Sequence, residues 1–379
     1  MLIITSSPDA IASYGGHDSD LVKVLINAKG RGNPVGLISN HPEPGWFHTA
    51  FGGTGVQFIQ SVGRQNGQII IENSDRLKLA PHDALVLASK PEDIHMGKNG
   101  GAVVVAAGWS ADKQVTGLGI RVADAAEFEE VIILSESWPG EWWLTGDMPR
   151  YSVRALADLS TYGKGLTQQD FGHKVTATVK HGGARLNALL AVTARSLQND
   201  GVSSEDELLW GVYPSSSSAN DDNEVLSDFT HRLRTTTSRV RFAKKGQPLF
   251  IRHTASSKRS AGGGGDRTDP SEQIETIHLN PFYEDKNRLV DRHVIVVDDC
   301  TTYGVSFGVA SAFLLAAGAA KVTNVAIGKF GNKLGYYEID IESDPYSPVK
   351  AGEYTVSSLT PFGGKYSAMA QGELHKLIP

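Results

Sequence analysis

The chain has 379 residues and carries 36 Lys and Arg against 42 Asp and Glu, a formal net charge of −6. That length suggests two domains, and 40% apolar residues supply sizeable cores. The acidic balance gives no reason to expect general nucleic-acid binding, and one cysteine excludes an intramolecular disulfide or a multi-cysteine zinc site and fits a reducing cytoplasm.

The N-terminus MLIITSSPDA lacks a basic segment, so it is expected to be a strand over 2–5 rather than a signal peptide. A helix is expected over 18–29, with Leu21, Val24 and Leu25 on one side and Asp18 at its start. Short apolar strands are expected over 35–38, ending in Ser39-Asn40, over 84–87, over 102–107 and over 131–134. Strands alternating with helices predict a doubly wound, mostly parallel α/β domain over 1–136. Two stretches here resemble motifs of the haloacid dehalogenase (HAD) hydrolases: GNPVGLISN, with Ser39 at its strand end, and ALVLASKPEDIHMGKNGGAVVVAAGW, with Asp93 and Asn99-Gly100-Gly101. The resemblance implies a Rossmann-type, HAD-like domain with a vestigial site at Ser39 and Asp93. That family begins with a strand and Asp-x-Asp, whereas this chain has Thr5-Ser6-Ser7-Pro8-Asp9; it also has Ala88-Ser89 where the family places a metal-binding acid. Without the aspartate nucleophile the phosphoryl-aspartate chemistry has no starting atom, so a binding or assembly role is expected.

Residues 137–165, with Trp138, Trp142 and Trp143 among prolines and glycines, read as a connecting segment packed on a core. Over 166–200, KVTATVK is expected as a strand and HGGARLNALLAVTARSL as an amphipathic helix with Leu186, Leu189, Leu190 and Leu197 inward. His181 and Arg185 could reach an anion there, though such residues commonly sit on a solvated face. A strand over 208–213 leads into a serine-rich loop, Ser215, Ser216, Ser217 and Ser218, and then a helix with Val225, Leu226, Phe229 and Leu233 in register. Strands are expected over 248–251 and 274–279. Between them four consecutive glycines with Lys258, Arg259 and Arg267 are expected to make a mobile basic loop, either a plain surface loop or one that closes over a ligand.

Residues 293–318 carry the strongest pattern. Val294 to Val297 form a buried-strand run, Asp298 and Asp299 follow it, and the small, hydroxyl-rich run Thr301, Thr302, Tyr303, Gly304, Val305 and Ser306 opens a helix that stops near Gly318. A helix N-terminus after a strand presents backbone N–H groups and a positive dipole end to a phosphate. The two acids suit sugar hydroxyls or the water shell of Mg²⁺. A Walker-B strand also ends in acids, but the chain has no GxxxxGK[ST] partner for it.

This stretch resembles the phosphoribosyl pyrophosphate (PRPP) signature of type I phosphoribosyltransferases. The resemblance implies a second doubly wound domain over 166–379, with a hood subdomain drawn from 166–200, 329–379 or both. It implies that Thr301 to Ser306 grip the 5-phosphate and that Ser215 to Ser218 meet the pyrophosphate. Asp298 and Asp299 would serve the ribose and Mg²⁺, and Lys258 and Arg259 would close over the leaving group as a catalytic loop. Relatives acting on 6-oxopurines carry an Asp where this chain has Thr302, which argues against that acceptor class. In the hood, Tyr336, Tyr337 and Phe362 could stack on a ring, with Phe330 and Tyr354 as core alternatives. The expected partners are PRPP and a small-molecule acceptor, with no membrane, and a homodimer is compatible with the fold. A cytoplasmic transferase, a PRPP-sensing regulator without turnover, and a bifunctional enzyme with residual HAD-type phosphatase activity stay open at this point.

Overall fold

A computed structural model describes residues 1–13, 16–183, 185–202, 205, 207–237, 243–257 and 266–377. The chain is mixed α/β and divides into two compact units. The first comprises 1–140 with the described parts of 187–205 and 232–239; the second comprises the remainder. No helix among the described residues is long and apolar enough to cross a membrane.

The first unit is a doubly wound sheet. Its strands are β1 (Ile3–Ser6), β2 (Val35–Ser39), β3 (Gln57–Gln60), β4 (Ala84–Ala88), β5 (Val103–Ala107) and β6 (Ile120–Val122). All pair in parallel in the order β3-β2-β1-β4-β5-β6. The central strands β4 and β5 are buried along their whole length, which is why they read as unbroken apolar runs. The main helices are α1 (Ser19–Gly30), α2 (Gln68–Leu77), α3 (Pro91–Asn99) and α4 (Ala125–Ser137). Asp18 starts α1 as expected, accepting from the backbone N–H groups of Asp20 and Leu21.

The strand expected over 131–134 lies inside α4 instead. Asp124 caps that helix by accepting from Glu127 N at 3.0 Å, while Glu127 accepts from Ala123 N at 2.7 Å. Phe128, Val131, Ile132 and Ser135 then recur on one buried face at helical spacing, and Ile133 is left 44% exposed.

Two later segments complete this unit. α6 (Arg185–Asn199) contributes 187–199, and α7 (Val225–Thr237) contributes 232–237. Arg195 donates to Asp83 at 2.5 Å, Trp138 Nε1 donates to Ser196 Oγ at 3.0 Å, and Arg232 Nε donates to the Gly119 carbonyl at 2.8 Å. Leu189, Leu190 and Leu197 are buried as the amphipathic pattern predicts.

The second unit has a six-stranded sheet in the order β9-β12-β13-β8-β7-β16. These are β7 (Leu144–Asp147), β8 (Ser152–Asp158), β9 (Leu208–Val212), β12 (His293–Thr301), β13 (Lys321–Lys329) and β16 (Lys365–Tyr366). Strands β9, β12, β13 and β8 run parallel; β7 and β16 are antiparallel at one edge. The segment 137–165, expected as a connection, thus supplies two strands. An antiparallel pair of β10 (Phe250–Arg252) with β11 (Ile277–Leu279) and a hairpin of β14 (Gly335–Ile341) with β15 (Tyr354–Pro361) also belong to this unit.

Helices α5 (Leu166–His181), α8 (Val305–Ala316) and α9 (Ala368–Leu377) belong to the same unit. KVTATVK, expected as a strand, is the end of α5: Phe171, Val175 and Val179 share its buried face, and Thr178 Oγ1 returns a hydrogen bond to the Lys174 carbonyl at 2.9 Å. Gly318, at φ 89°, ends α8 as expected. Tyr336 and Tyr337 are buried core residues, packed with Tyr151 and Phe362 rather than open to a ligand ring.

Candidate functional site

In the second unit, β12 delivers Asp298, Asp299 and Cys300 to the C-terminal edge of its sheet. The chain then turns through Thr302, Tyr303 and Gly304 into α8. Gly304 takes φ 81°, a left-handed conformation costly for any residue with a Cβ. A Cβ there would also stand 2.9 Å from Leu334 Cδ1 and 3.0 Å from the Gly335 carbonyl. No side chain caps α8, so its first-turn N–H groups remain for solvent or a ligand.

Thr301 to Ser306, both aspartates, Ser215 and Ser216 line one cleft of about 1050 Å³. Six of the expected phosphate-loop positions and two of the four serines are therefore brought together. Ser217 and Ser218 are not among the lining residues: the loop closes on itself through Ser218 N and the Ser215 carbonyl at 3.2 Å, and Ser218 Oγ accepts from Asn220 N at 3.2 Å. Lys258 and Arg259 lie outside the described residues. Lys180, at the end of α5, lines the cleft; His181 and Arg185 do not.

The acid pair is tightly constrained. Asp298 accepts from Ser306 Oγ at 2.8 Å and from Asp299 N at 2.8 Å, and Asp299 accepts from Cys300 N at 2.6 Å. The Ser306 hydroxyl thus points to Asp298 and stands within the same loop as the other expected phosphate-loop positions. Desolvation and then the neighbouring Asp299 charge push the Asp298 carboxyl well above the usual carboxylate range. Desolvation and the two aspartates likewise raise the Cys300 thiol, which disfavours a reactive thiolate.

The organising residue that sequence reasoning missed is Arg252, buried at the end of β10. Its guanidinium donates to the Ser215 carbonyl at 2.6 Å, Thr276 Oγ1 at 2.8 Å, Gln273 Oε1 at 3.0 Å and the Pro214 carbonyl at 3.3 Å. It fixes the backbone of the serine loop and adds positive charge to the cleft wall. Arg267, from the expected basic loop, lies over the Tyr303 ring at 5.4 Å and also lines the cleft. Tyr303 is therefore a half-buried floor under a cation. Phe330 lines the cleft too, so it faces the site rather than the core.

In the first unit, the strand order reverses between β1 and β4, whose carboxyl ends carry Ser6-Ser7 and Ala88-Ser89. Asp93 is fully buried beside them. It accepts from Ser7 Oγ at 3.0 Å, Ser89 N at 2.9 Å and Lys90 N at 3.0 Å, and pairs with the Arg64 guanidinium. Ser39 Oγ is occupied by His41 N at 3.0 Å. A guanidinium thus occupies the partner position of the buried carboxylate, and the surrounding donors use up its lone pairs.

No protein-family model matches the chain, and no curated protein does. Among solved structures, the cobalt-bound deoxy-D-mannose-octulosonate 8-phosphate phosphatase of Haemophilus influenzae is similar at 8% identity, covering 37% of this chain and 90% of that one, with a TM-score of 0.29. A likeness of that size carries no weight for function.

Proposed function

We propose that the second unit is a Mg²⁺-dependent phosphoribosyltransferase that moves ribose 5-phosphate from PRPP to a nitrogen nucleophile and releases pyrophosphate. The observation that supports this reading is the meeting, in one cleft, of a strand-end acid pair with an uncapped helix N-terminus entered through Gly304. The N–H groups at the start of α8 and the hydroxyl of Thr302 receive the 5-phosphate. Asp299 and Asp298 receive the ribose hydroxyls. The serine loop, held by Arg252, meets the pyrophosphate with backbone donors, while Lys180 and Arg267 supply charge.

The acceptor nitrogen forms a bond to the anomeric carbon as the bond to the pyrophosphate oxygen breaks. The electron pair leaves with pyrophosphate, and the nitrogen's proton passes to solvent. Little side-chain chemistry is asked of the protein: it positions the ribose and stabilises charge on the leaving group. The donor set fits Mg²⁺. The Asp299 charge beside the buried Asp298 carboxyl disfavours ionisation of Asp298, and a divalent cation would relieve that, so Asp298 and Asp299 would hold it together with PRPP oxygens. Held by Asp298 and Asp299, such a cation would supply positive charge to the leaving pyrophosphate.

We read the first unit as a HAD-like domain that serves binding or assembly. Ser7 stands near the position where a nucleophilic aspartate would be needed, and Asp93 is committed to Arg64. The whole chain should accordingly leave a generic phosphate ester intact. The test of the transferase reading is mass spectrometry of a small-molecule extract incubated with protein, PRPP and Mg²⁺. The wild type should release pyrophosphate and form a ribosylated product, and the Asp298→Asn/Asp299→Asn variant should do neither. PRPP binding without turnover would favour a sensor instead.

A further inference from the structure

The first unit contains a second concavity that the reading above does not use. It lies between the β3-β2-β1 side of the sheet and α2, and encloses about 200 Å³. Its walls are mainly apolar, with Ile38, Ile59, Ile70 and Leu77 among them, and Gln57 and Asn73 add polar groups, Asn73 Oδ1 accepting from Arg76 at 2.6 Å. Gly36, in the middle of its lining, contributes no side chain to fill it. Thr5 pairs with Gly36, and Gly36 with Gln57, so the three share a layer of the sheet, and the middle position has no side chain. A Cβ on Gly36 would meet nothing closer than the Gln57 carbonyl at 3.4 Å.

Two features distinguish this space from a packing gap. Thr5 is 2% exposed and lines the pocket, yet its hydroxyl has no hydrogen-bond partner. A buried hydroxyl without a partner is costly, and an oxygen on a bound molecule would remove that cost. The lining side chains that reach solvent include two cations, Lys29 and Arg76, and among the described residues neither has a carboxylate within ion-pairing distance. An apolar body with a cationic rim is complementary to an amphipathic anion. An apolar cavity of ~150 Å³ is enough to hold a benzene-sized body.

From these observations we infer that this pocket binds a small apolar carboxylic acid, with Lys29 and Arg76 facing the carboxylate and the Thr5 hydroxyl donating to a ligand oxygen. The lining includes Ile3 and Val35, the first residues of β1 and β2, so the pocket sits toward the amino ends of the strands. Open α/β sheets place their chemistry at the opposite, carboxyl end. The position therefore favours an effector over a substrate, and it stands independently of the transferase reading.

The test uses the full chain and three probes: 4-fluorobenzoate, octanoate and, as the neutral isostere, 4-fluorobenzyl alcohol. Fluorine NMR reads the aromatic probes and calorimetry reads octanoate. The wild type should bind at least one acid, and the stronger of the two separates an aromatic from an acyl ligand. Lys29→Met/Arg76→Met should weaken the acid by about tenfold and leave the alcohol unchanged. Gly36→Val should abolish binding of all probes; if it does not fold, Ile59→Phe narrows the same space and serves in its place. Absence of binding to the wild type overturns the inference, as does equal binding by the wild type and a folded Gly36→Val variant. A Gly36→Val protein that melts higher while no probe binds the wild type would mark the space as an unfilled packing defect.

Discussion

Lys329 ends β13 with its side chain fully buried, its ammonium donating to the carbonyls of Phe330 at 3.3 Å and Gly331 at 2.5 Å. Desolvation lowers its pKa from 10.5 to about 8, and the charge of Asp158 offsets only part of that. In the unfolded chain the amine keeps its proton up to the ordinary value, so between about 8 and 10.5 the unfolded state binds more protons than the folded one. Stability must then rise with pH across that window, and the cost of burying the charge is present in full below it. At ~1.36 kcal/mol per pH unit the window is worth roughly 3 kcal/mol. Replacing Lys329 with Met removes the titration. It also frees two carbonyls, but Gly331 is exposed and water can serve them, so that loss is about 1 kcal/mol per bond and independent of pH. Urea unfolding read by tryptophan fluorescence, in steps from about pH 7 to about pH 10.5, checks this. The stability of wild type relative to Lys329→Met should climb by roughly 3 kcal/mol across the range. Parallel curves for the two proteins would refute the argument that this lysine is held against its charge.

Two further outcomes are expected. Gly304→Ala forces a Cβ into a left-handed backbone and against the Gly335 carbonyl; it should cost about 1–3 kcal/mol in thermal melting and weaken PRPP binding in titration. An alanine variant with unchanged melting and affinity would show that the loop has no need of glycine. Arg64→Leu leaves the buried Asp93 without its cation and should lose about 3–5 kcal/mol, whereas Arg64→Leu/Asp93→Leu should regain most of that; additive losses in chemical denaturation would contradict the pairing.

The strand, acid pair, loop and helix of 293–316 were legible because each step is local. A β-branched run, a left-handed glycine and a helix start need no distant partner to be recognised, and the same holds for Asp18 as a helix start and Gly318 as a helix stop. The helices over 131–134 and 175–179 were not legible, because short Val, Ile and Thr runs suit either period and the choice was made by which face found a core. The strands β7 and β8 were hidden by their tryptophan- and proline-rich flanks. Arg252 carried no local signal at all: its four acceptors come from residues 214, 215, 273 and 276, which only the fold gathers. Of four consecutive serines, the turn at Ser215–Ser218 decided which two reach the cleft, and that geometry is not written in composition.

Calorimetric titration of the full chain with PRPP in the presence of Mg²⁺ bears on the central claim most directly. Saturable binding by the wild type, lost in Asp298→Asn/Asp299→Asn while that variant still melts cooperatively, is the expected result. A well-folded wild type that shows no heat and no competition by pyrophosphate would contradict the assignment of the cleft to a sugar phosphate.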